Sequence, residues 1–167
     1  LFAFPSLEDK ETLAQQNELR HYGTHALAFT PDSSQLYLGK MDGEIDCWSM
    51  QGGRWELGDG PQCDGTAEIL SLAVSPNSCW LVSADGDGKV RMFDLENGGQ
   101  PLLVQRDDGR NSDRSMALAL AFSPDGFELA TGGRNPSSIF LWDLTNLRPG
   151  QLIPLIGELA GHKAKVN

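Results

Sequence analysis

Three stretches of this 167-residue chain are copies of one another. "LAFTPDSSQLYLGKMDGEIDCWSM" fills 27–50, "LAVSPNSCWLVSADGDGKVRMFDL" fills 72–95 and "LAFSPDGFELATGGRNPSSIFLWDL" fills 120–144. Pro31, Pro76 and Pro124 stand 45 and 48 residues apart, and the aromatics Trp48, Phe93 and Trp142 stand 45 and 49 apart. Two markers that keep step to within one residue define a repeat, and a period of this length belongs to solenoids and propellers. A unit of this kind cannot bury its apolar face alone, so each copy must pack on its neighbour.

Each copy reads as four short strands. The first ends at Phe29, Val74 or Phe122, where the coming Pro cannot donate to a central ladder and Asp, Asn or Ser favours a turn. The second covers Leu36 to Leu38, Leu81 to Ser83 and Leu129 to Thr131. Asp42-Gly43 and Asp87-Gly88 then supply hairpin chemistry, where the third copy has the longer Arg134-Asn135-Pro136-Ser137. The third strand ends on the aromatic. Outer strands are expected at Trp55 to Leu57, Leu102 to Val104 and Leu152 to Leu159. No segment after residue 20 holds a helical period between its Gly and Pro breaks.

The pattern resembles the WD-repeat family of β-propellers, whose four-stranded blades carry Gly-His near the start and Trp-Asp at the end. Trp142-Asp143 fits fully, Phe93-Asp94 conservatively and Trp48-Ser49 only at the ring, while Gly161-His162 resembles the start of another blade. The resemblance implies an all-β, four-stranded antiparallel propeller, here an incomplete arc. It divides the chain into the end of a preceding blade and a connection (1–20), blade one (21–60), blade two (61–106), blade three (107–160) and the start of a further blade (161–167). Family blades link a His, a Ser or Thr, a turn Asp and the Trp by hydrogen bonds. Here His21 suits blade one, but Gly65-Thr66 and Asp113 stand near the His positions of blades two and three. Ser83 with Asp87, and Thr131 with Trp142, are partial sets, so apolar packing must carry more of these blades.

Charge and cysteine usage narrow the partners. The 23 acidic and 13 basic residues leave a net charge of −10, which repels phosphate backbones and anionic lipid and disfavours nucleic-acid or membrane-surface roles. No apolar run approaches the roughly 18 residues of a membrane span. The start, Leu1-Phe2-Ala3-Phe4-Pro5, has no signal-peptide order and reads as a cut end. Cys47, Cys63 and Cys79 are odd in number and lack CxxC spacing, which points away from a disulfide framework or zinc cage and toward the reducing cytoplasm.

Catalytic and metal readings fare poorly. "DGDG" at 85–88 invites calcium, but Lys89-Val90-Arg91 follows where closing oxygen ligands belong, so a hairpin turn is the better reading. His21 and His25 are same-face neighbours on a strand with no third ligand nearby. No Gly-x-Ser-x-Gly elbow and no phosphate-binding Gly-x-x-x-x-Gly-Lys loop occurs. The reading is therefore non-catalytic, with no metal and no cofactor.

Binding has better candidates. Trp48, Phe93 and Trp142 occupy equivalent positions and are expected in the core between blades. Trp55 and Trp80 break the repeat and are candidate exposed contacts. "QRDDGRNSDRS" at 105–115 joins blade two to blade three, and the resemblance puts it on the same rim as the turn with Arg134. Arg106, Arg110, Arg114 and Arg134 then form a basic spot suited to carboxylates, against the plainer reading of a solvated loop neutralised by Asp107, Asp108 and Asp113. The expected function is a scaffold presenting loops to a protein or peptide partner. The alternative is a sensing module of a larger enzyme or signalling protein. The open arc implies closure by further blades or by self-association.

Overall fold

A computed structural model describes residues 23–63, 67–104, 117–133, 139–147 and 153–161. They form twelve strands in three antiparallel sheets, each joined in simple meander order. Blade one holds β1 (Thr24–Phe29), β2 (Gln35–Lys40), β3 (Ile45–Gln51) and β4 (Arg54–Gly58). Blade two holds β5 (Ile69–Val74), β6 (Trp80–Asp85), β7 (Val90–Asp94) and β8 (Leu102–Leu103). Blade three holds β9 (Ala117–Phe122), β10 (Glu128–Gly133), β11 (Ile139–Asp143) and β12 (Leu155–Leu159). The first strands end at Phe29, Val74 and Phe122, where the repeat places them.

The Pro-bearing turns share one device. Thr30, Ser75 and Ser123 each donate the hydroxyl to a side-chain oxygen two residues on, in Asp32, Asn77 and Asp125, at 2.6 Å. The same hydroxyl oxygens accept the backbone N–H of Gln35, Trp80 and Glu128, which opens the next strand. Such short polar side chains satisfy turn backbone that no ladder reaches. The turn also needs one residue at positive φ, filled by Ser33 and Ser78 at 61° and by Gly126 at 78°.

The turns after the third strands differ between blades. Asp94 Oδ1 accepts the N–H groups of Glu96 and Asn97, and Asp143 Oδ1 accepts the N–H and hydroxyl of Thr145. Blade one has Ser49 there and needs no such cap. Its third strand runs on to Gln51 and reverses over Gly52-Gly53 at φ 56° and 85°, the signs of a two-residue type I′ hairpin. The departure from Trp-Asp thus follows from a different turn.

Blades meet through two apolar seams. At the first, Ala26, Tyr37, Ile45 and Cys47 from one face of blade one pack with Ile69, Leu72, Leu81 and Phe93 of blade two. At the second, Val82, Ala84, Val90 and Met92 from the opposite face of blade two pack with Leu129, Phe140, Trp142 and Leu144 of blade three. Every blade therefore has a leading face, carrying the terminal aromatic, and a trailing face of alternate strand positions. Gly39 sits at the first seam because a Cβ there would lie 2.4 Å from Ile69 Cγ2. In blade two the register position of Gly39 is taken by Ala84, buried in the second seam.

Polar groups lie on the leading faces too. Trp142 Nε1 donates to Thr131 Oγ1 at 3.0 Å in blade three. In blade two these positions are Phe93 and Ser83, and the Ser83 Oγ, fully buried, has no hydrogen-bond partner among the described residues. Further along, Arg91 and Asp85 form an ion pair with both side chains almost completely buried. Blade one answers it with Lys40 bonded to Asp46 at 2.9 Å and Glu44 at 2.7 Å. The triads Lys40, Glu44, Asp46 and Asp85, Lys89, Arg91 are aligned 45 residues apart with every sign inverted.

Candidate partner-binding surface

The meander order gives the arc two rims. One carries the Pro turns and the connections between third and fourth strands. The other carries the hairpins between second and third strands, together with the connections between blades. Arg106, Arg110, Arg114 and Arg134, the expected basic spot, lie outside the described residues, as do His21, Gly65-Thr66, Asp113 and His162.

The described part of the second rim is acidic and internally bonded. Asp85 Oδ1 accepts the N–H groups of Asp87 and Lys89, and its other oxygen takes Arg91, so the "DGDG" carboxylate is committed to its own turn. Burial alone would lower the Lys40 ammonium, but its bonds to Glu44 and Asp46 overcome this and hold it above its ordinary pKa. His25 Nδ1 lies 3.5 Å from Glu68 and bridges blades one and two. Among the described residues no group of three or more His, Cys, Asp or Glu side chains is placed to hold a metal.

On the Pro-turn rim the turn acids are strongly organised. Asp32 and Asp125 are held below the usual carboxylate range first by the Thr30 and Ser123 hydroxyls and then by backbone N–H groups. Asp94 and Asp143 are lowered by Asn97 and Thr145 in the same way. Burial pushes the Tyr37 phenol up, with Cys47 beside it, and its hydroxyl donates to Gln35 Oε1 at 3.0 Å. Cys47 is buried, and Cys63 and Cys79 are half-buried.

The two tryptophans that break the repeat have different surroundings. Trp80 is half-buried and packs against the core of the second seam, because it stands on the trailing face of β6. Trp55 is half-buried in a tilted pair with Phe29, ring centroids 6.0 Å apart, and sits opposite Met50 in the β3–β4 register. Phe93 and Trp142 are buried in the seams as the repeat requires, but Trp48 is only half-buried, since no described sheet covers the leading face of blade one. On that face Leu27, Phe29 and Met50 are exposed, in line with the expectation that an open arc bares the apolar faces of its end blades.

These sheets, turns and seams define a class: repeated blades of a β-propeller arc. Residues 61–94 match the family described as "WD domain, G-beta repeat". The chain is similar to the small ribosomal subunit protein RACK1 of Schizosaccharomyces pombe, with 30% identity over 82% of this chain and 43% of that protein. It is 31% identical to WD repeat and SOCS box-containing protein 1 of Xenopus tropicalis, over 72% of this chain and 26% of that protein. Pre-mRNA-processing factor 19 homolog 2 of Arabidopsis thaliana is 32% identical, over 71% of this chain and 22% of that protein. The chain belongs to the WD-repeat family. It spans less than half the length of these relatives.

Proposed function

We propose that this chain is a non-catalytic, cytoplasmic scaffold that presents blade loops to a protein or peptide partner. The observation that carries the reading is the division of labour within each blade. Apolar seams hold the sheets, and local hydroxyl and carboxylate bonds satisfy the turns, so the outer sides of the loops are left to vary in chemistry. The WD-repeat relatives support it, and the net charge of −10 favours a protein partner over nucleic acid or an anionic membrane.

Arg106, Arg110, Arg114 and Arg134 are the proposed contacts for an acidic partner, with Trp55 and Trp80 as apolar ones. Guanidinium groups suit carboxylates by bidentate bonding, and an isolated basic spot stands out on an acidic ring. Capture from cell extract with the wild-type chain and with an Arg110→Glu, Arg134→Glu variant tests this. The variant is expected to lose an acidic partner at an unchanged melting temperature. Identical partners on both chains would return these arginines to a solvated loop. The sensor-module alternative draws support from one relative, whose own name joins WD repeats to a SOCS box.

A further inference from the structure

The two seams inside the arc end differently on the Pro-turn rim. At the first, Gln35 and Ser49 of blade one stand across from Cys79 of blade two, and the mouth is closed by its own hydrogen bonds. Gln35 Nε2 donates to Ser49 Oγ at 3.5 Å, the Tyr37 hydroxyl donates to Gln35 Oε1 at 3.0 Å, and Cys79 Sγ donates to the Asn77 carbonyl at 3.4 Å. At the second seam the equivalent residues are Trp80, Asp94 and Phe127. Trp80 and Asp94 are register partners on the trailing face of blade two, and Trp80 packs on the seam core. Phe127 comes from the opposite side. Its carbonyl accepts the Leu144 N–H at 2.8 Å, which continues the β10–β11 register and sets Phe127 on the leading face of blade three with Leu144, itself buried in the seam. The two Pro turns meet at this point, since a Cβ on Gly126 would lie 3.6 Å from Pro76 Cδ. Phe127 is nevertheless 55% exposed and Trp80 half-buried, although a described blade stands on each side of them.

We propose that the Pro-turn mouth of the second seam docks a basic peptide segment, one apolar side chain of which lies against Phe127 and Trp80 while its Lys or Arg neighbours meet the surrounding carboxylates. The apolar anchor follows from the two rings. Aromatics at the rim of a packed core offer large, rigid area for a partner to bury, and such residues dominate binding energy where they occur. The sign of the charge follows from the turns. Asp94, Glu96, Asp125 and Asp143 stand in or beside the blade-two and blade-three turns of this rim, and no described residue of those turns is basic. Hydroxyl, amide and backbone N–H donors hold Asp94, Asp125 and Asp143 below the usual carboxylate range, so they are fully charged at neutral pH. A Lys or Arg over the exposed face of either ring adds a cation–π contact. The inference rests on the scaffold reading and gives Trp80 a place in it, but it uses none of the arginines and takes a partner of the opposite charge.

Fluorescence anisotropy of the full chain tests this with a panel of short labelled peptides. Each carries a central Leu, Met, Phe or Trp between flanks of Lys and Arg or between flanks of Asp and Glu, and a further set of Lys and Arg peptides has Gly at the centre. Basic-flanked peptides with an apolar centre are expected to bind, and more weakly as salt rises. Phe127→Ser puts the blade-one residue at an exposed position, so the blades are retained, and is expected to weaken that binding about tenfold or more with an unchanged circular-dichroism spectrum. Glu96→Lys, also exposed, is expected to weaken it by a smaller factor. An acidic-flanked peptide held by the arginines is expected to be indifferent to Phe127→Ser. Three results overturn the proposal: no binding by any basic-flanked peptide, equal binding by the Gly-centred set, or binding that Phe127→Ser leaves intact. Self-association that Phe127→Ser abolishes, with no peptide bound, overturns it too, since a second copy would then be the occupant. A chain that binds acidic-flanked peptides alone sinks this inference and leaves the scaffold reading standing, whereas a chain that binds no peptide of any class sinks both.

Discussion

Replacing Thr131 by Val and Ser83 by Ala removes the same hydroxyl from equivalent positions of two blades, and the two changes should move stability in opposite directions. In blade three the Thr131 Oγ1 accepts the Trp142 indole N–H at 3.0 Å, with Trp142 3% and Thr131 4% exposed. Val keeps the volume and shape, so the loss is confined to the acceptor. An indole N–H is then left buried without a partner, at a cost of about 1–3 kcal/mol. In blade two Phe93 has no N–H to offer, and Ser83 is fully buried with its hydroxyl unmatched among the described residues. Ser83→Ala relieves that desolvation and gives up only a few packing contacts, so it is expected to raise stability by up to about 1 kcal/mol. Urea denaturation followed by circular dichroism reads both changes. Adding Trp142→Phe to Thr131→Val removes the donor together with its acceptor, and the double variant should cost at least about 0.5 kcal/mol less than the sum of the singles. Equal losses at positions 83 and 131, or strict additivity of the blade-three pair, would refute the reasoning.

At the first seam, Gly39→Ala drives a methyl into Ile69 and is expected to cost about 1–3 kcal/mol. Ile69→Ala in the same chain should recover part of that loss, and a neutral Gly39→Ala melt would contradict the close approach. Ser78→Gly places a residue suited to positive φ in the blade-two turn, as Gly126 does in blade three, and should raise stability by about 0.5–1 kcal/mol in urea melts. Asp32, Asp94, Asp125 and Asp143 titrate below their unfolded value of about 3.9, so their contribution is complete above that pH and is lost as pH falls through the depressed folded values. Urea midpoints should therefore fall mainly below about pH 4, and a midpoint that rises on acidification would overturn the capping assignment.

The strand ends were legible because their causes are local. Pro31, Pro76 and Pro124 stop the first strands, and the hydroxyl-plus-carboxyl or amide pairs beside them close the turns within a few residues. The seams were legible only as a rule that aromatics pack inward. Which small residue receives which large one, as Gly39 receives Ile69, depends on two strands 30 residues apart meeting in space. Trp80 drew attention by breaking the repeat, but its half-buried place follows from strand parity, since it alternates with Leu81 across β6. The blade-one hairpin has its local signal in Gly52-Gly53, two residues suited to positive φ between β3 and β4. The arginine-bearing connection has no local pattern that specifies its geometry, and its residues fall outside those described.

The inverted triads matter most before the blades have formed. Repeats this similar expose a chain to hybrid hairpins, in which the second strand of one copy pairs with the third strand of another. A β2–β7 hybrid would set Lys40 among Lys89 and Arg91, and a β6–β3 hybrid would set Asp85 among Glu44 and Asp46. Each error brings like charges together at a place the correct hairpin fills with an ion pair, and like charges in paired strands are destabilising. Blade three, with Gly133 and Phe140 at the corresponding positions, offers neither sign a partner. Charge at these positions therefore acts as an address, directing each third strand to the second strand made just before it.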